Sequence, residues 1–179
     1  MYEKFGQFID GKWIKSSNGE TYEVINPANE EILGRASKAS PEDVEKALKS
    51  AEQGLEVWKK TIPWQRSYIL RRIADKMREK QDVLAKWMTL EMGKPLNEAK
   101  GEVNGAADIF EWNAEETKRI YGQTVESRFE DTRVHVYYQP VGVVAALVPW
   151  NFPLVLSSRK ISTGLAAGCS VIVKPDVIT

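Results

Sequence analysis

The 179-residue chain predicts an α/β fold built on a parallel sheet, and three features near its end carry that prediction. Val141–Val148 is an apolar run whose length and branching suit a strand buried on both faces. The run stops at Pro149. Pro153, two residues beyond Asn151, lacks an amide and sits well in a first helical turn, so Trp150 and Asn151 occupy a tight crossing from strand to helix. A helical span, Leu154–Ala167, follows and is ended by the permissive backbone of Gly168. Ser170–Val173, closed by Lys174 and Pro175, then reads as a second buried strand. Strand, helix and strand at this spacing make one βαβ unit.

Composition narrows the function classes. A chain of this length supports one domain that buries roughly 70% of its unfolded surface. The 25 basic and 25 acidic side chains balance, which gives no electrostatic reason to expect nucleic acid or an anionic membrane as a partner. The N-terminal MYEKFGQFIDGKW has no apolar core of signal-peptide length, and no apolar run reaches the ~18 residues of a membrane span, so the expected location is the cytoplasm. A single cysteine, Cys169, and a single histidine, His135, leave no disulfide framework, multi-thiolate site or histidine cluster, and no metal site is predicted.

Taken in order, the chain opens with short β-rich runs, Phe8–Ile14, Tyr22–Ile25 and Ile32–Ala36, punctuated by Asp10-Gly11, Asn18-Gly19 and Asn26-Pro27. Ser40-Pro41-Glu42-Asp43 supplies a cap, a proline at the first helical position and two acids for the positive end of the helix dipole. The resulting helix runs to about Lys60, with Val44, Ala47, Leu48, Ala51, Leu55 and Trp58 on one apolar face. From Pro63, a second helix carries Ile69, Leu70, Ile73, Ala74 and Met77 inward. Arg66, Arg71, Arg72, Lys76, Arg78 and Lys80 are expected on or near its outer, solvated side. Val83–Glu91 forms a third helix, ended by Gly93 and Pro95. Asn97–Ile120 forms a fourth, packed through Ala99, Val103, Ala106, Ile109, Phe110 and Asn113. Trp87 and Trp112 read as core or interface residues.

At Gln123 the period changes to two. Val125, Phe129, Val134, Val136 and Tyr138 belong to a β-ribbon turned around Glu130-Asp131, expected to dock on a partner surface. The chain then reaches the βαβ unit without a linker and stops at Asp176-Val177-Ile178-Thr179, where a further helix should begin. Two core strands leave long apolar edges uncovered, so the sequence reads as cut short.

PWNFP at 149–153, Arg159-Lys160, AAGCS at 166–170 and VIVKP at 171–175 closely resemble the NAD(P)-dependent aldehyde dehydrogenase superfamily. FIDGKW, INPANEEILGRAS, LEMGKPLNEAKGEV and YYQPVGVV follow the order of that family's N-terminal portion, so the resemblance covers the chain. It implies the N-terminal part of the family fold: an incomplete Rossmann-like parallel sheet with flanking helices and a β-ribbon. Residues 1–122 would supply strands and helices of the cofactor-binding domain, 123–140 the ribbon of the oligomerisation element, and 141–179 the first βαβ unit. It further implies oxidation of an aldehyde to a carboxylic acid with NAD or NADP in the complete enzyme. The partners implied are an aldehyde substrate and either further copies of the chain or a complementary C-terminal chain.

The resemblance also assigns residues. Asn151 matches the asparagine whose side-chain amide donates to the oxygen of the thiohemiacetal. A neutral amide held at such a crossing is preorganised for a developing oxyanion. Read from the residues alone, without the resemblance, a turn asparagine capping the helix is the preferred reading. Leu147, Val148, Pro149 and Trp150 match the stretch lining the nicotinamide side, and Lys174 matches the lysine contacting the adenosine ribose. Three residues after that lysine the family has a glutamate where this chain has Val177, which removes a carboxylate that would repel a 2′-phosphate and tilts the expectation toward NADP or dual use. Arg159 matches an arginine with which succinate-semialdehyde dehydrogenases and their relatives hold a distal carboxylate; a helix-surface cation is the alternative. Thr163-Gly164 replaces a common proline and alanine, a change expected to loosen the helix. Cys169 falls at a variable small position, as a structural thiol. The nucleophilic cysteine and the general-base glutamate belong to the family's later half, so the chain alone is expected to be inactive. A non-catalytic assembly module built on the ribbon is the reading from another class.

Overall fold

A computed structural model describes residues 6–177. Residues 1–5 and 178–179, which belong to the first and last of the expected regions, lie outside the described residues. Among the described residues there are four two-stranded sheets and a core built from helices. β1 (Gln7–Ile9) and β2 (Lys12–Ile14) form a hairpin turned at Asp10-Gly11, and β3 (Thr21–Ile25) pairs antiparallel with β4 (Ile32–Ser37). Helices α1 (Pro41–Trp58), α2 (Pro63–Glu79), α3 (Gln81–Met92) and α4 (Leu96–Glu116) follow, the last ending in a 3-10 turn over Thr117–Arg119. β5 (Gln123–Glu126) and β6 (Arg133–Val136) make the ribbon, exposed along its whole length. β7 (Val143–Leu147), α5 (Pro153–Ala166) and β8 (Ser170–Lys174) complete the βαβ unit, with β7 and β8 parallel.

The start of α1 shows how the local chemistry reaches the fold. Ser40 and Asp43 close a capping box, and Pro41 opens the helix. Asp43 does more than cap. Its carboxylate is buried and accepts from the Ser40 amide at 3.0 Å, the Ser17 amide at 3.1 Å, the Gln7 side chain at 3.1 Å and the Ser16 hydroxyl at 3.2 Å. One acid therefore ties β1, the turn after β2 and α1 together. The Ser40 backbone amide is the main reason its carboxyl lies well below the usual carboxylate range; burial opposes that shift, and the Gln7 and Ser17 donors add to it.

The core lies between α2, α3, α4 and α5. Leu70, Ala74 and Met77 of α2 meet Ala85 and Met88 of α3, Ala99, Val103, Ala106, Ala107, Phe110 and Ala114 of α4, and Ala166 of α5. Small residues recur along α4 at helical spacing, which lets neighbouring helices approach closely on both flanks. Leu154, Val155, Ile161 and Leu165 of α5 pack on the same cluster. Four polar ties fix α5 along its length. Glu102 holds its first turn, Asn113 Nδ2 donates to Ser162 Oγ at 3.0 Å, Trp58 Nε1 to the Leu165 carbonyl at 2.8 Å and Thr117 Oγ1 to the Ala166 carbonyl at 2.5 Å.

Several expectations change. Val141–Val148 is not buried on both faces: the strand is Val143–Leu147, and Val141, Ala145 and Leu147 are exposed, since among the described residues β8 is the one strand paired with it. Arg66 is not on the outer side of α2. It is buried against the end of α5, where a Cβ on Gly168 would stand 2.6 Å from Nη1, and burial holds its guanidinium below the usual arginine range. Arg71 pairs with Glu111 and Glu115, and Arg78 with Asp108 and Glu111, so part of the basic run ties α2 to α4 instead of merely facing water. Trp112 is exposed. Gly164 lets α5 lie on β8, since a Cβ there would be 2.7 Å from Val171 Cγ2, and Thr163 Oγ1 donates to the Arg159 carbonyl at 2.7 Å.

Leu70→Ala, at a site with no solvent exposure, should lower unfolding free energy by about 2–5 kcal/mol in urea titrations. Asp43 has a folded-state pKa below its unfolded value, so its contribution is complete above about pH 4 and is lost as pH falls below it. Urea midpoints measured from about pH 6 to about pH 2 should therefore fall less steeply in Asp43→Asn than in the unaltered chain.

Candidate functional site

The parallel pairing decides where chemistry can sit. Leu147 is in register with Lys174, and the Val148 amide donates to the Lys174 carbonyl at 3.1 Å, so the carboxyl ends of β7 and β8 finish side by side. In open α/β sheets, ligands bind in the crevice beyond such strand ends. Leu147 is 64% exposed there, and Pro149, Trp150 and Lys174 are exposed beside it. Val148 has its side chain buried, which leaves only its main chain for a ligand. An exposed apolar wall ending in an ammonium group fits a dinucleotide, whose rings and phosphate-bearing ribose need both.

The crossing 149–152 carries Asn151. Phe152, not Asn151, is the N-cap of α5, and it makes no side-chain cap. The Asn151 side chain is exposed and forms no hydrogen bond among the described residues, so the capping alternative fails and the amide is free to donate. The first turn of α5 is instead satisfied by Glu102 of α4. Its Oε1 accepts from the Leu154 amide at 2.9 Å and the Val155 amide at 3.2 Å. Glu102 Oε2 is paired with Lys94, whose Nζ also donates to the Asn151 carbonyl at 3.1 Å and sits 3.9 Å from the Phe152 ring centroid.

Lys94 follows Gly93, whose left-handed backbone (φ 76°) ends α3 and turns the lysine toward the crossing. Neither Lys94 nor Glu102 was among the residues singled out in sequence. A signal existed: Glu102 interrupts the apolar stripe of α4 between Ala99 and Val103, and an acid on such a face needs a partner. Arg159 lies on the exposed side of α5, six residues or about 9 Å along the axis from Pro153. No contact joins its side chain to Asn151, Trp150 or Lys174 among the described residues. Among those residues no group of three or more His, Cys, Asp or Glu is placed to hold a metal ion, and no helix is long and apolar enough to cross a membrane.

Residues 13–179 match the sequence model of the Aldehyde dehydrogenase family. The chain belongs to that family. It is 45% identical over 168 residues to a glutarate-semialdehyde dehydrogenase of Pseudomonas aeruginosa, a match covering 94% of this chain and 35% of the relative. With the NADP(+) succinate-semialdehyde dehydrogenase of Escherichia coli it shares 46% identity over 167 residues, 93% of this chain and 35% of that one. A crystal structure of an E. coli NADP-dependent enzyme superposes with TM-score 0.95 at 45% identity, covering 99% of this chain and 37% of that one. A Staphylococcus aureus betaine aldehyde dehydrogenase in complex with NAD+ gives TM-score 0.95 at 36% identity, covering 98% of this chain and 36% of that one. The chain thus spans about a third of the length of the relatives it matches, and its fold is the N-terminal portion of the aldehyde dehydrogenase fold.

Cys169 stands at the wrong end of the sheet to serve Asn151. It precedes β8, five residues before Lys174, which is about 16 Å of extended strand from the ligand-facing edge. Its side chain is buried, and its amide donates to the Gly164 carbonyl at 2.9 Å. A thiol reagent such as DTNB should therefore label the folded chain only as fast as it opens. Labelling at the rate of a free thiol would show that Cys169 is accessible.

Proposed function

We propose that this chain carries the oxyanion and cofactor half of the active site of a semialdehyde dehydrogenase. The observation that carries the reading is the Asn151 amide, unpartnered among the described residues, in the crossing that leaves the carboxyl end of β7, where exposed Leu147 stands in register with Lys174. In the complete enzyme a thiolate attacks the aldehyde carbonyl. The developing negative charge on its oxygen takes a hydrogen bond from Asn151 Nδ2, whose neutral amide needs no proton transfer to act. Leu147, Pro149, Trp150 and the main chain of Val148 would hold the nicotinamide of NAD(P)+, and Lys174 would hold the ribose. NAD(P)+ supplies the hydride acceptor. Val177 leaves this strand end without a carboxylate at its position, which favours a 2′-phosphate; NADP is named for the E. coli relative. The substrate is a short semialdehyde whose distal carboxylate pairs with the exposed Arg159, in keeping with the succinate and glutarate semialdehydes named for relatives.

The chain contains one cysteine, and that thiol is buried away from the crossing, so the isolated chain should produce no NAD(P)H from succinate or glutarate semialdehyde. Joined to the remaining two thirds or so of the E. coli relative, it should turn over with NADP+. In that longer enzyme Arg159→Ala should raise KM for succinate semialdehyde by about tenfold or more, with little change for an uncharged aldehyde. Turnover by the isolated chain would refute the half-site reading, and an equal effect on both aldehydes would refute the role of Arg159.

One observation favours assembly as a second reading. The ribbon and its flanks expose Val125, Phe129, Val134, Val136, Tyr137 and Tyr138, an apolar strip on an unpaired two-stranded sheet that suits docking on another copy. Light scattering should find the chain larger than a monomer if the strip serves that purpose.

A further inference from the structure

We infer that Lys94 and Glu102 are a positioning pair that fixes where the Asn151 amide stands. The catalytic meaning of the pair rests on the oxyanion-donor reading; its geometry does not. The two side chains are only 8% and 2% exposed. Glu102 Oε1 takes the two amides of Leu154 and Val155, and Oε2 takes the Lys94 ammonium. The same ammonium reaches across to the Asn151 carbonyl and rests over the Phe152 ring. Two side chains, one from the turn after α3 and one from α4, thereby hold the main chain on both sides of position 152. The Asn151 side chain makes no bond of its own among the described residues, so its place in space is set by the backbone that Lys94 holds. The charges also work together: a carboxylate at the start of α5 favours the helix dipole, and Lys94 neutralises that carboxylate where water cannot.

The test uses this chain and needs neither cofactor nor turnover. Hydrogen exchange on the unaltered chain should find the Leu154 and Val155 amides at least about tenfold slower than in Glu102→Ala, the fold-change of one charge-assisted hydrogen bond. In chain labelled with 15N-asparagine, the Asn151 side-chain signals, assigned by their loss in Asn151→Asp, should shift and broaden in Lys94→Met. Those of Asn113, which is bonded to Ile109 and Ser162, should stay in place. Unmoved Asn151 signals in a folded Lys94→Met chain would overturn the inference. If the variants do not fold, exchange in the unaltered chain decides alone: unprotected amides at 154 and 155 overturn the pair, and protected ones support it. A longer enzyme without dehydrogenase activity would refute the proposed function and leave the pair standing.

Discussion

A carboxylate buried to 2% exposure, that of Glu102, holds the helix of the βαβ unit to the rest of the molecule. It is tolerable there because three donors meet it: two helix-start amides and the Lys94 ammonium. Removing one partner of such a buried pair typically costs about 3–5 kcal/mol, since the other is left as an uncompensated charge. The arrangement is therefore rigid. It converts the packing of α4 against α5 into a fixed backbone position at residues 151 and 152, one turn beyond the end of β7.

Everything that places the crossing descends from this tie and from the apolar core behind it. The small residues of α4 bring α5 close, Gly164 brings α5 down onto β8, and parallel pairing aligns Leu147 with Lys174. The result is an edge where exposed Leu147 stands in register with Lys174, and the crossing that carries Asn151 leaves from the end of β7. At the opposite end of β8, Cys169 and Gly168 are buried with Arg66, a structural corner without access to the crevice.

Much of this was legible in the sequence because the signals are local. Proline at 153, glycine at 168 and branched apolar runs determine the βαβ unit through backbone geometry, and Ser40-Pro41 marks the start of α1 in the same way. The cap of α5 was not legible, because its donor and acceptor lie 52 residues apart and belong to different helices. Arg66 was misplaced for a related reason: helical spacing assigned it to a charged face, whereas the end of α5, a hundred residues later in the chain, covers it. Exposure of Leu147 was missed because an apolar strand reads the same whether or not neighbours flank it on both sides.

An Asn151 amide held ready for an oxyanion should show itself in kcat of the Asn151→Ala variant of the extended enzyme. The expected fall in kcat is about 10²–10³ with KM for NADP+ little changed, the loss of one preorganised donor. An unchanged kcat, with the variant folded and binding cofactor normally, would contradict it.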